Sequence, residues 1–267
     1  MKNSRKILFF DIDGTLLTPP PFTVPESTRK ALHMAQEQGH LTFVNSGRVM
    51  AMIPKNIKDL GFDGYVCGCG TSIYYHDELL FSSTIPHDIC METISVLRQY
   101  KVSAFFEQSC GLLLDDLSPV QSPLAMKLKQ LIHTDNISSY DEKKKASFTF
   151  DKFLATLLPD SDKEGFLKFC EKYFVPFHHG NGNYEVTQKE YSKATGIQFM
   201  LEQLHIPHEN SYAFGDSVND LPMLKYAANS VAMGNSMKEI LPYCTYQTSS
   251  ISDDGIYRAM EHFGLLG

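Results

Sequence analysis

Apolar stretches as long as a buried strand alternate with helix-like stretches at both ends of this chain of 267 residues. The N-terminal part offers the strand candidate ILFF (residues 7–10), a helix candidate bounded by Pro25 and Gly39, and then the strand candidates LTFVN and GYVC. The alternation returns from Lys193 to a last helix candidate that starts at about Asp253. Strands that alternate with helices are typical of a parallel sheet with helices on its faces. The sequence therefore predicts an α/β core built on an open parallel sheet.

The pattern changes between about Ser83 and Lys189, where strand candidates follow one another in pairs. VSAFFEQ is followed by GLLLDD, and a closing pair surrounds FVPFHHGNGNYEVT. Paired adjacent strands indicate an antiparallel sheet, and such a unit within an α/β chain is most simply a second domain inserted into a loop of the first. We predict a core of residues 1–83 and 190–267 and an inserted α+β domain of residues 84–189.

Polar residues follow three strand candidates of the core, at the point where each strand ends. Asp11 and Asp13 follow the first strand, the segment 45–48 (NSGR) follows the second, and residues 215–220 (GDSVND) end the strand SYAFG. In an open α/β sheet the ligand crevice lies beyond the carboxyl ends of the strands. We therefore expect these residues to line one site. If the first strand continued, Asp11 and Asp13 would lie on one face about 7 Å apart.

Three of these side chains, Asp11, Asp13 and Asp216, form a candidate metal site. Converging carboxylates repel one another unless a cation neutralises them, and Mg²⁺ takes one or two carboxylates while keeping waters for a phosphate. An EF-hand interpretation of DIDGT fails, because Leu16 and Phe22 stand where the calcium loop needs its glycine and its last glutamate. A purely structural role in a helix cap or a turn leaves the matching acidic strand end at Asp216 unexplained. The predicted cofactor is Mg²⁺.

The composition excludes several classes of partner. The formal net charge is -7, and the basic run Lys143–Lys145 directly follows two acidic residues, so no nucleic-acid surface is expected. No stretch approaches the roughly 18 apolar residues of a membrane span, and the first apolar run stops at Phe10, short of the roughly 7 to 15 residues of a signal sequence. We expect a cytoplasmic protein without a membrane partner. Among the six cysteines, even Cys67 and Cys69 have a spacing unsuited to zinc.

Four features of the chain are similar to the motifs of the haloacid dehalogenase (HAD) superfamily, and within it to those of the Cof-type phosphatases. They are DIDGTLL, NSGR, a lysine (Lys193) at the start of a helix, and GDSVNDLPML; VAMGNS and SSISDDGI also resemble the C-terminal segments of the family. The resemblance covers nearly the whole chain. It implies a Rossmann-like, HAD-like core and a large inserted cap that determines substrate specificity.

The resemblance also implies a role for each matching residue. Asp11 is expected to be the nucleophile that takes the phosphoryl group, and Asp13 to protonate the leaving oxygen and then activate water. Ser46 and Lys193 are expected to hold the phosphate. Asp216 is expected to bind Mg²⁺ together with Asp11 and the backbone carbonyl of Asp13.

Three further positions take their roles from the same resemblance, and two depart from the family pattern. Asp220 is expected to contact and orient the metal ligands without binding the metal itself. Arg48 and Asn219 are expected to face the phosphate or the substrate. Cys69 stands where the family commonly carries asparagine, so the chain lacks that amide. Ser46 replaces the usual threonine and keeps the hydroxyl group.

The sequence thus predicts a Mg²⁺-dependent phosphatase that hydrolyses a small phosphorylated metabolite, such as a sugar phosphate, FMN or pyridoxal phosphate, through an aspartyl phosphate. Phosphoryl transfer depends on positioning and charge neutralisation, and a covalent intermediate divides it into two easier steps. Two alternatives stay open: a phosphomutase that uses the same intermediate, and a sensor that binds a phosphorylated metabolite without turnover. A sensor has no need of Asp13. The sequence specifies neither the physiological substrate nor an oligomeric state.

Overall fold

The structure is a computed structural model that describes residues 5–115, 117–130, 137–140 and 147–267. The chain divides into two compact units. The core unit comprises Met1–Arg48, Ile53–Phe81 and Tyr191–Gly267, and the insert unit comprises Val49–Met52 and Ser82–Glu190. The basic run Lys143–Lys145 lies outside the described residues.

The described part of the chain forms both strands and helices. The strands are β1 (Ile7–Phe10), β2 (Leu41–Asn45), β3 (Gly64–Cys67), β4 (Ser72–Tyr75), β5 (Glu78–Ser82), β6 (Val102–Gln108), β7 (Gly111–Asp115), β8 (Ile137–Tyr140), β9 (Lys152–Leu157), β10 (Phe174–His178), β11 (Asn183–Gln188), β12 (Ser211–Gly215), β13 (Asn229–Ala232) and β14 (Tyr246–Gln247). The helices are α1 (Glu26–Glu37), α2 (Lys55–Lys58), α3 (His87–Gln99), α4 (Pro123–Gln130), α5 (Lys163–Tyr173), α6 (Lys193–Leu204), α7 (Leu221–Tyr226) and α8 (Gly255–His262).

The core unit is built on an eight-stranded sheet with the order β14-β13-β12-β1-β2-β3-β4-β5. The strands from β14 to β3 pair in parallel, which confirms the predicted α/β class. β4, however, pairs antiparallel with β3. β4 and β5 were not predicted from the sequence. They are joined by two residues, His76 and Asp77, both in the left-handed conformation. Tight two-residue turns of this kind usually contain Asn-Gly or Asp-Gly, and His-Asp lacks the glycine of these pairs.

The register of the central strands brings their carboxyl ends to one edge. Phe10, the last residue of β1, lies opposite Val44 of β2 and Phe214 of β12. All four residues of β1 are buried, as expected for a central strand covered on both faces. The residues that follow β1, β2 and β12 in the sequence therefore start from neighbouring points in space.

The insert unit contains a six-stranded sheet with the order β10-β11-β9-β6-β7-β8. Its pairs are antiparallel except for β7 with β8. One face packs against α3 and α5 around buried side chains such as Phe106, Phe153 and Phe166. The strand predicted at SFTFDKFLA begins only at Lys152, because Phe148 and Phe150 are buried in this core from a segment without strand pairing.

None of the helices within the described ranges combines the length and the apolar composition that a bilayer crossing requires.

Candidate active site

Lys193 is the first residue of α6, and a capping box fixes the start of that helix. The Ser192 hydroxyl accepts a hydrogen bond from the backbone N–H of Thr195 at 3.3 Å, and the Thr195 hydroxyl accepts one from the backbone N–H of Ser192 at 3.0 Å. Such reciprocal bonds satisfy two donors that a helix N-terminus otherwise leaves unpaired. A lysine here opposes the helix dipole, yet Lys193 is only 1% exposed. Its burial requires carboxylate partners.

Two carboxylates supply the partners of Lys193. Its ammonium nitrogen lies 2.5 Å from Asp11 Oδ1 and 2.5 Å from Asp220 Oδ1. The second oxygen of Asp220 accepts hydrogen bonds from the backbone N–H groups of Asp216 and Ser217 at 2.9 and 3.0 Å. Asp220 therefore ties the end of β12 to the start of α6 and, through Lys193, to the end of β1.

Asp216 is held by the loop that follows β1. The Thr15 hydroxyl donates to Asp216 Oδ1 at 2.9 Å. Gly14 has φ +89°, and a Cβ atom at this position would lie 2.4 Å from Asp216 Oδ2. The loop is fixed on its other side by Asn235, whose amide donates to the Gly14 carbonyl at 2.8 Å. Glycine is therefore the residue that allows this close approach to the Asp216 carboxylate.

Asp11, Asp216 and Asp220 each offer one oxygen to a group in which all three oxygens lie within 4.8 Å of one another. Burial, and then the Asp220 charge, raise the pKa of Asp216 to about 7. Burial, again followed by Asp220, raises the pKa of Asp11 well above its usual range against the opposing effect of Lys193. Three carboxylates share one ammonium group, so a divalent cation would relieve the excess negative charge, and these oxygen donors fit Mg²⁺.

Asp13 lies apart from this group and is half exposed, at 51% of its side chain. Both of its carboxylate oxygens accept hydrogen bonds from Arg48, at 2.8 Å from Nε and 2.7 Å from Nη2. The strand β1 ends at Phe10, as predicted, so the spacing of about 7 Å that a continued strand would give does not apply to Asp11 and Asp13. The Ile12 carbonyl then accepts from the backbone N–H groups of residues 15–17, which turns the chain and separates the two carboxylates.

Asn45, the last residue of β2, joins that strand to the start of α6. Its amide nitrogen donates to the Lys193 carbonyl at 2.9 Å, and its Oδ1 is buried without a hydrogen-bond partner among the described residues. The sequence analysis gave no separate role to Asn45. The sequence feature that points to Asn45 is its place at the end of a buried strand, directly before Ser46.

Ser46 and Arg48 follow directly. Ser46 is buried, its hydroxyl accepts from the Arg48 backbone N–H at 3.2 Å, and its carbonyl accepts from the Cys69 backbone N–H at 3.1 Å. Cys69 has φ +57°. Asparagine adopts this left-handed conformation more readily than most residues. The commonly found asparagine thus suits the backbone of this position, and cysteine occupies it at a conformational cost.

Asn219 lies in a 3₁₀ turn, Val218–Asp220. Its side-chain oxygen accepts a hydrogen bond from the Ser217 hydroxyl at 2.5 Å. The structure therefore brings Asp11, Lys193, Asp216 and Asp220 into one group, in which Asp216 is partly exposed and the other three are buried. Asp13 and Arg48 form a pair beside it, and Asn219 bonds within its own turn.

This arrangement has the parts of a phosphoryl-transfer site. A carboxylate, Asp11, lies beside a buried ammonium group and two further carboxylates, which together can hold a cation and an anion near one oxygen nucleophile. The Asp13 carboxylate is half exposed and can take part in proton transfer once Arg48 releases it.

Comparisons with known proteins agree with this chemistry. The family model described as haloacid dehalogenase-like hydrolase matches residues 8–260. YkrA of Bacillus subtilis, whose name proposes phosphatase activity, is 28% identical over 263 residues that cover 98% of each chain. YcsE of the same organism, named 5-amino-6-(5-phospho-D-ribitylamino)uracil phosphatase, is 24% identical and covers 97% of this chain and 96% of its own. The solved structure of the HAD subclass IIB sugar phosphatase BT4131 is 27% identical, with a TM-score of 0.83 and coverage of 97% of this chain and 99% of its own.

Proposed function

The chain belongs to the family of haloacid dehalogenase-like hydrolases, and on that premise we propose that it is a Mg²⁺-dependent phosphatase that hydrolyses small phosphomonoesters through an aspartyl phosphate. The observation that carries the proposal is the buried contact of Lys193 with both Asp11 and Asp220, beside Asp216. An isolated buried carboxylate is costly. A buried lysine that contacts two carboxylates, with a third carboxylate beside them, supports a site that binds a phosphoryl group and a cation.

Asp11 is assigned as the nucleophile. A carboxylate oxygen of Asp11 forms the new bond to phosphorus while the bond from phosphorus to the ester oxygen breaks. Lys193 supports this step because its positive charge offsets the negative charges that crowd around Asp11 when a phosphate enters. Ser46 lies at the neighbouring strand end, and its hydroxyl is assigned to the phosphate oxygens.

Asp13 is assigned as the general acid and base. It gives a proton to the leaving oxygen in the first step and takes one from the water that hydrolyses the aspartyl phosphate in the second. Arg48 orients the Asp13 carboxylate through two hydrogen bonds. Because Arg48 occupies both Asp13 oxygens, it must release one of them before Asp13 contacts the leaving oxygen, and the guanidinium is then available to the substrate.

The residues assigned to Mg²⁺ are Asp11, Asp216 and the backbone carbonyl of Asp13. When bound, Mg²⁺ supplies positive charge that favours a phosphate next to the nucleophile. Asp220 orients the end of β12 through its bonds to the backbone N–H groups of Asp216 and Ser217.

The substrate is assigned to the class of small phosphorylated metabolites. The names of BT4131 and YcsE describe enzymes for a sugar phosphate and for a phosphoribityl compound, which supports this class. The groups assigned above recognise the phosphoryl group that every substrate shares. Selection among leaving alcohols therefore needs other residues, and we assign a share of it to the insert, residues 84–189, as a cap.

A screen of phosphomonoesters tests the proposal by measuring released phosphate with Mg²⁺, after chelation with EDTA, and with Ca²⁺ in place of Mg²⁺. We expect phosphate release that stops on chelation, returns with Mg²⁺ and is poor with Ca²⁺, which prefers looser and higher coordination. Phosphate that moves between hydroxyl groups of an ester without release would identify a mutase. Binding of esters without any turnover would identify a sensor.

A further inference from the structure

The core unit contains a cavity of about 350 Å³ beside the Asp13 and Arg48 pair. The residues that line it are Leu17, Phe22, Arg48, Pro54 and Asn56. Small-molecule sites occupy about 300 to 1,000 Å³ and are mostly apolar with a few polar groups. The cavity has this size and this composition.

Phe22 is the unusual member of the lining. Its side chain is 53% exposed, and its backbone has φ +57°. An exposed aromatic ring in the left-handed conformation gains little from packing, and bulky residues adopt this conformation rarely. Strained backbone of this kind is concentrated at binding and catalytic sites.

The surrounding loop holds Phe22 in this position. Thr18 and Thr23 close the loop, because the Thr18 backbone N–H donates to the Thr23 carbonyl at 3.0 Å and the Thr23 N–H donates to the Thr18 hydroxyl at 3.1 Å. The Asn56 amide donates to the Phe22 carbonyl at 3.2 Å. The ring is thus presented by a loop that is closed on itself and attached to α2.

Arg48 connects this cavity to the proposed chemistry. One side of its side chain lines the cavity, and its guanidinium holds both oxygens of Asp13. A general acid must contact the leaving oxygen when it transfers its proton. The rest of the leaving alcohol therefore begins next to Asp13, and Arg48, the partner of Asp13, also lines the cavity.

We propose that this cavity binds a planar aromatic or heteroaromatic ring of the leaving alcohol, with Phe22 as a specificity-determining residue of the core unit. The inference rests on the proposed phosphatase function. It makes the core unit a second source of substrate selectivity, in addition to the insert. An aromatic ring gains both from burial against Leu17 and Pro54 and from the ring contact with Phe22. A short aliphatic alcohol gains neither.

The test compares kcat/KM for benzyl phosphate and ethyl phosphate, two esters of poor leaving alcohols that differ by the ring. In the wild type we expect the benzyl ester to be preferred. Phe22→Ala is expected to lower the benzyl-to-ethyl ratio about tenfold, chiefly through KM, while Phe22→Tyr, which keeps a ring, retains the ratio within about threefold. The matched control is Leu79→Ala, which removes another exposed apolar side chain of the core unit outside the cavity lining.

Each outcome decides one of the two claims. If neither ester nor any other phosphomonoester releases phosphate, the proposed function fails and the inference fails with it. If phosphate is released but Phe22→Ala leaves the ratio unchanged, or shifts it no more than Leu79→Ala does, the phosphatase stands and the ring site is wrong. A wild type that prefers the ethyl ester also overturns the inference.

Discussion

The ammonium nitrogen of Lys193 lies 2.5 Å from a carboxylate oxygen of Asp11, although the two residues are 182 positions apart in the sequence. The same nitrogen lies 2.5 Å from Asp220. Burial opposes the charge of Lys193, but the two carboxylates outweigh this effect and raise its pKa. Lys193 is therefore held in its charged form, and we propose that this charge balances the phosphate of the substrate.

The substitution Asp11→Asn is expected to abolish turnover and preserve the fold. An amide is a poor nucleophile, and the loss of an essential nucleophile costs several orders of magnitude in kcat. The asparagine oxygen still accepts a hydrogen bond from Lys193, which remains paired with Asp220. Steady-state kinetics and thermal unfolding measure the two effects. Turnover within about tenfold of the wild type would contradict the nucleophile assignment.

Gly14→Ala is expected to weaken Mg²⁺ binding, because the new Cβ atom meets the Asp216 carboxylate at 2.4 Å. Changes to the groups that orient metal ligands typically cost about 10- to 100-fold in metal affinity. Gly39→Ala is the matched control, since Gly39 also has a positive φ, +81°, but has nothing within 4 Å of an added Cβ atom. Mg²⁺ titrations followed by activity and by the shift in Tm distinguish the variants. Equal Mg²⁺ dependence in both variants would show that the close approach of Gly14 to Asp216 does not affect Mg²⁺ binding.

Asp13→Asn is expected to slow hydrolysis of esters with poor leaving groups more than that of p-nitrophenyl phosphate. Proton transfer contributes about 10²- to 10⁴-fold, and nitrophenolate needs little protonation to leave. Rapid-quench measurements of aspartyl-phosphate formation isolate the first step. Equal losses for all leaving groups in that step would leave Asp13 a structural role through its pair with Arg48.

A separate buried charge cluster in the insert unit predicts a pH effect on stability. Lys152 contacts Glu185 and lies 3.3 Å from Glu107, while His179 Nε2 lies 3.2 Å from Glu185. Burial alone raises the pKa of Glu185, but Lys152 and His179 outweigh it and hold the pKa well below its usual range. A carboxyl group whose pKa is lower in the folded state stabilises the protein above its unfolded-state pKa, and this contribution is lost as the pH falls through the folded-state pKa.

Glu185→Gln is therefore expected to cost about 2 kcal/mol in free energy of unfolding at pH 7. The difference from the wild type should narrow below about pH 4, where the unfolded glutamate is protonated first. Urea unfolding across these pH values measures it. Asp160→Asn, which breaks an exposed ion pair with Lys101, is the control and should cost less than about 1 kcal/mol. A difference for Glu185→Gln that does not change with pH would show that the Glu185 charge is not stabilising.

Most of the core elements could be predicted from local signals. β1 and α1 follow from an apolar run and from a helix with Pro25 before it and Gly39 behind it. The hairpin of β4 and β5 was not predicted, because its turn residues, His76 and Asp77, lack the glycine of the Asn-Gly and Asp-Gly pairs that mark such turns. β9 was predicted too early, since Phe148 and Phe150 are apolar for packing and not for strand pairing.

The sequence by itself determined which chemical groups stand at the strand ends: Asp11 and Asp13 after β1, Ser46 and Arg48 after β2, and Asp216 after β12. Only the tertiary structure decided how they pair. Asp11 meets Lys193 because the sheet order sets β1 beside β12 and β2, and because Asn45 and the capping box fix the start of α6. Asp13 instead meets Arg48, because β1 ends at Phe10 and the hydrogen bonds to the Ile12 carbonyl turn the chain. Periodicity and turn residues act between neighbours in the chain, whereas contacts between distant charges depend on sheet order and loop closure.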